Sequence, residues 1–181
     1  MIRKDIYRSG FRSSTEIERV LVALLNFAPH IGYIPGGADI AAFLLQQTTP
    51  ENTFWIMAGL MTKFLPRDYF DRDVLSQKTE AMLNQLLAKD PELHVQLDGY
   101  GRGELCVKWF ATLFANTLSL EATADIWDAM FEARDPVAFL EEVGANLLLE
   151  LQPRLSIAKD INDARNVLMN APLELVDFPL P

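Results

Sequence analysis

Few residues in this sequence are arranged to do chemistry. In the stretch IRKDIYR, residues 2–8, Ile2, Asp5 and Arg8 stand at an IxxDxxR spacing. On one helical turn Asp5 and Arg8 are i,i+3 neighbours, and their pairing would steady the arginine as a fixed cation. The same spacing also suits an ordinary ion pair at the surface. A second stretch, HIGYIPGGADI at residues 30–40, sets Gly32, Tyr33, Pro35, Gly36 and Gly37 close together. It is either a helix–helix connection or a loop shaped to face a partner. The one cysteine, Cys106, lies in the apolar run ELCVKWF and reads as a small buried residue rather than a nucleophile. The two histidines, His30 and His94, share no metal-ligand spacing, and neither a GxxxxGKS/T nor a GxGxxG loop occurs. No metal and no cofactor are expected.

Bulk properties narrow the classes further. The 181 residues suit one domain, and 50% of them are apolar, enough for a sizeable core. A net charge of −9 argues against nucleic acid and against an anionic membrane surface as the main partner. One cysteine allows no disulfide framework within the chain, which fits a reducing compartment. The N-terminus has charges but no apolar h-region, and no apolar run reaches the ~18 residues needed to span a bilayer.

The elements that must hold these residues are helical almost throughout. SSTEIERVLVALLNFA puts Ile17, Val20, Leu21, Leu24, Leu25 and Ala28 on one face, with Thr15 and Glu18 as a capping box. ADIAAFLLQQ reads as a buried helix, and TTPENTFWIMAGLMTKFL as a helix capped by Thr49 with Pro50 in its first turn. DRDVLSQKTEAMLNQLLAKD carries a stripe of Leu75, Met82, Leu83, Leu86 and Leu87 and stops at Asp90–Pro91. PELHVQLDGYGRG gives a short helix and a turn. ELCVKWFATLFANTL is apolar on most sides and predicts a central helix. EATADIWDAMFEARD, PVAFLEEVGANLLLELQ with Asp135–Pro136 at its start, and KDINDARNVLMN complete about eight helices. No stretch alternates with period 2. The expected class is all-α: a single compact multi-helix domain of packed antiparallel helices over residues 1–171, with a proline-containing tail at 172–181.

In this order the two N-terminal stretches resemble the TBC domain, the helical fold of proteins that accelerate GTP hydrolysis by Rab-type small GTPases. GYIPGGADIAAFLL is similar to the family's GYxQGM segment and the helix after it, and ENTFWIMAGLMTKFLPRDYF to the next helix with its Phe/Trp pair. Pro91, Leu93 and Leu97 match a further stretch. Trp109, Phe110, Phe114, Ile126, Trp127 and Asp128 all fall in register. The likeness covers residues 2–170. It departs in three ways: the helices that usually precede IxxDxxR are missing from the sequence, the link to the GY motif is short, and the glutamine of YxQ is Pro35.

The resemblance implies a fold, a partner and a chemistry. The partner is a small GTPase of Rab type in its GTP-bound form. The setting is vesicle trafficking, with the protein cytoplasmic and brought to endomembranes through its GTPase. Arg8 takes the place of the arginine finger, whose planar donors suit phosphate oxygens. Asp5, Tyr33, Pro35 and Gly36 fall on the partner-binding side. In the family the glutamine of YxQ positions the attacking water. Proline has no side-chain donor and no N–H, so Pro35 cannot. Gln46 and Gln47, eleven and twelve residues on, stand roughly 16 Å away along a helix and are poor substitutes. Three readings follow: an activator working through Arg8 alone, a catalytically inactive binding module, and a helical assembly protein with no GTPase partner.

Overall fold

The computed structural model describes residues 14–99, 106–170 and Leu180. The described residues are helical with no strand among them, as the apolar spacing predicts. They fall into two compact units, one within Met1–Asp71 and one within Arg72–Pro181.

The described residues of the first unit hold three α-helices. α1 is Ser14–Phe27, α2 is Gly37–Gln47 and α3 is Pro50–Gly59, with α1 packed on both of the others. The predicted face of α1 is buried through Ile17, Val20, Leu21, Leu24 and Ala28. α1 already includes Ser14, so Thr15 lies within its first turn rather than capping it. α2 is buried along Ile40–Leu44. α3 starts as its sequence dictates: Pro50 fills the first turn, and Asn52 N donates to Thr49 Oγ1 at 3.3 Å. The helix predicted to run on to Leu65 instead widens into a π-helical turn, Leu60–Phe64, closed by Leu65 N donating to Leu60 O at 2.9 Å. Beyond it Tyr69 is fully buried, with the Phe70 ring edge-on at 4.9 Å.

The second unit is built on two long helices, α4 (Arg72–Lys89) and α8 (Pro136–Leu155). Lys78 pairs with Glu141 at 3.6 Å, and Lys89 Nζ donates to Asn146 Oδ1 at 2.7 Å. A Cβ added at Gly144 would meet Met82 Sδ at 2.5 Å, so glycine allows the close approach between them. The α4 stripe is buried at Leu75, Met82, Leu83 and Leu86, but Thr79 completes it and Leu87 points outward. Thr79 meets burial by donating to Leu75 O at 3.0 Å.

α5 (Pro91–Gly99) is capped by Asp90, whose Oδ1 accepts from Leu93 N at 3.0 Å. α7 (Leu120–Glu132) is capped by Ser119, and α8 by Asp135, whose Oδ1 accepts from Val137 N and Ala138 N. α9 (Ile161–Asn170) packs on α8.

The long central helix predicted over ELCVKWFATLFANTL does not form. Among its described residues α6, Val107–Ala111, is the helical part, and the chain then turns through Leu113 at φ 49° and Phe114 at φ 62°. Left-handed geometry is unusual for bulky residues and is held here by tertiary contacts. Both side chains are fully buried, Phe114 packs against Phe110 and Trp109, and Trp127 Nε1 donates to Leu113 O at 2.8 Å. The tail at 172–181 falls outside the described residues except for Leu180.

Candidate functional site

The site grows from the end of α1. Ala28 precedes Pro29, and proline disfavours helical geometry in the residue before it; Ala28 sits at φ −133°, ψ 69°. One 3-10 turn, Pro29–Ile31, follows, and the chain reverses at Gly32, φ 68° and ψ −155°. Tyr33 is then held outward, 43% exposed, while Ile34 turns inward and is buried.

Ile34, Pro35, Gly36 and Gly37 form a tight turn closed by Gly37 N donating to Ile34 O at 3.1 Å. Proline at the second place and Gly36 at φ 76°, ψ −3° at the third are the signature of a type II turn. Gly36 O then accepts from Asp39 N and Ile40 N and opens α2. Gly37 has a separate reason: an added Cβ would lie 3.3 Å from Ile34 Cβ and 3.5 Å from Leu21 Cδ2. Ile34 is the anchor, and Pro35 with Gly36 sets the bend that carries Tyr33 outward. Pro35, half-buried, offers no donor there.

Tyr33, Pro35 and Gly36 are therefore brought together. Asp5 and Arg8 lie outside the described residues. The nearby glutamine offers no replacement chemistry, since Gln46 Nε2 donates to Ala42 O of its own helix at 3.2 Å. Burial pushes the Cys106 thiol up to about 12, which keeps it protonated and makes it structural. His30 is exposed on the 3-10 turn, and no cluster of three potential metal ligands occurs among the described residues.

The sequence reading missed an aromatic cluster in the same unit. Phe27, the last residue of α1, meets Phe54 at 5.5 Å and Trp55 at 5.8 Å between ring centroids, and Phe54 meets Trp55 at 4.8 Å, all edge-on. Phe27 and Trp55 are each more than half exposed. The signal was two aromatic residues off their helices' apolar stripes, Trp55 directly beside Phe54.

The sequence model of the Rab-GTPase-TBC domain matches residues 2–155, from the first residue of IxxDxxR to the end of α8. The chain belongs to this family. Human small G protein signaling modulator 3 is 30% identical over 195 residues, covering 99% of this chain and 26% of that protein. Growth hormone-regulated TBC protein 1-A of Danio rerio is 30% identical over 178 residues, covering 90% of this chain and 49% of that protein. The chain thus spans no more than half the length of these relatives. The crystal structure of the Chlamydomonas flagellar RabGAP TBC domain superposes with a TM-score of 0.77 at 19% identity, covering 94% of this chain and 61% of that one. That likeness establishes the TBC fold. No helix among the described residues is long and apolar enough to cross a membrane.

Proposed function

We propose that this TBC domain binds a Rab-type small GTPase in its GTP-bound form and accelerates GTP hydrolysis through Arg8 alone. The observation that carries the reading is the family match beginning at Ile2, with the arginine of IxxDxxR in place and proline where the family keeps the glutamine of YxQ. GTP hydrolysis needs charge neutralised on the transferring phosphoryl group and a water aligned with it. An arginine supplied by the activator does the first and is worth about 10³–10⁵ in rate. Asp5, i−3 to Arg8, would hold the guanidinium in place, and position is what an arginine finger depends on. The second task falls to the GTPase's own glutamine, since Pro35 can neither donate nor accept through a side chain. The outward Tyr33 and the exposed Phe27–Phe54–Trp55 cluster give the first unit an apolar surface of the kind that protein partners cover. Through such a GTPase the chain would act in vesicle trafficking at cytoplasmic endomembrane surfaces.

Pro35 also favours a second reading, a TBC domain that binds its GTPase without catalysis. Single-turnover hydrolysis across a panel of Rab-type GTPases separates the two. Acceleration by the wild type that is lost in Arg8→Ala supports the first. GTP-dependent capture of a GTPase with no acceleration supports the second. Empty captures over the whole panel refute both.

A further inference from the structure

A pocket of about 220 Å³ opens in the second unit, lined by Lys108 and Trp109 of α6, Asn116 and Thr117 of the following turn, and Arg165, Leu168 and Met169 of α9. Its charge runs against that of the chain: in a sequence with net charge −9, the described residues that line this pocket include two cations and no carboxylate. Neither Lys108 nor Arg165 makes an ion pair among the described residues. Thr117, 3% exposed, lines the same pocket.

From this arrangement we infer a binding site for a phosphate ester. A guanidinium fork can take two phosphate oxygens, an ammonium provides a compact second charge, and the Thr117 hydroxyl can donate to a third oxygen. Trp109, Leu168 and Met169 form an apolar wall against which the ester's organic part would pack. A phosphate monoester, close to −2 at neutral pH with its second pKa near 6, matches the paired cations better than a monoanion does. The site lies in the second unit and the Tyr33–Gly36 turn in the first. The ester can come from solution or from a lipid headgroup.

The test uses the full chain and two probes. Phenyl phosphate is titrated while tryptophan fluorescence is followed, and flotation is measured with phosphatidylcholine vesicles containing or lacking 10% phosphatidic acid. Lys108 and Arg165 are both exposed, so Lys108→Ala and Arg165→Ala leave the fold intact. Saturable binding in either arm is expected, weakened at least tenfold by each variant, unchanged in Lys63→Ala, and falling as pH drops through 6. Binding to phenyl phosphate alone assigns a soluble ester, and to vesicles alone a lipid headgroup. Saturation in neither arm, or binding that survives the double variant, overturns the assignment.

Discussion

Gly36 is the residue on which the shape of the Tyr33 loop turns, and its replacement by alanine is the sharpest test of that shape. Its φ of 76° lies in the left-handed region, where an L-residue with a Cβ costs roughly 1–2 kcal/mol. Alanine also restricts the unfolded chain, which returns about 0.4–1 kcal/mol. The expected net loss is therefore about 1 kcal/mol, or ~2–4 °C in Tm for a chain of this size. Asparagine tolerates the left-handed region, so Gly36→Asn should lose less. Gly59 is the matched control. It is helical at φ −62°, ψ −48°, and an added Cβ there meets nothing within 4 Å. Gly59→Ala should thus raise stability by about 0.5–1 kcal/mol. Urea unfolding followed by circular dichroism measures all three. If Gly36→Ala is neutral or stabilising, in line with Gly59→Ala, the type II turn is wrong, and with it the reason Tyr33 faces outward.

Three further substitutions probe the rest of the fold. Trp127→Phe removes the indole donor from Leu113 O and leaves a buried carbonyl short of a partner; a loss of roughly 2–4 kcal/mol in urea unfolding is expected, from desolvation and lost packing together. Thr53→Val should stabilise by about 1 kcal/mol, because Thr53 is fully buried and its Oγ1 has no partner; a destabilised variant would reveal a hydrogen bond that the structure does not contain. Glu141 tests the pH dependence. Burial raises its carboxyl above the ordinary value even with Lys78 at 3.6 Å, so folding favours the protonated form. Its favourable contribution is present below the unfolded value of about 4.3 and is lost as pH rises through the folded one. Wild type and Glu141→Gln should therefore match in stability at acid pH, with the wild type falling behind at neutrality; the opposite trend would mean that the Lys78 pair outweighs burial.

Much of this fold could be read from residue spacing because local rules and tertiary packing agree along most of the chain. Thr49–Pro50 and Asp135–Pro136 mark helix starts where the structure has them, and the apolar faces of α1 and α2 are the buried ones. Failures occur where tertiary contacts override local preference. Nothing in ATLF announces that Leu113 and Phe114 adopt left-handed geometry; the turn exists because two buried side chains and the Trp127 indole hold it. The pairing of α4 with α8 is likewise set by contacts between residues some sixty positions apart, which periodicity cannot register. In the candidate site the Pro–Gly pair was legible as a turn, and the structure supplies its type and the inward anchor, Ile34. The exposed aromatic cluster and the Lys108–Arg165 pocket escaped notice because each joins residues from separate elements.

The proposed activity rests on Arg8 as arginine finger, with Pro35 where the family keeps the glutamine of YxQ. Single-turnover GTP hydrolysis by a GTPase that the protein captures in its GTP-bound form, measured with wild type, Arg8→Ala and Pro35→Gln, tests it directly. The account predicts acceleration by the wild type, its loss in Arg8→Ala, and a further gain in Pro35→Gln, which returns a side-chain amide to the turn. Acceleration that persists in Arg8→Ala, or a captured GTPase whose hydrolysis the wild type leaves at its intrinsic rate, would contradict it.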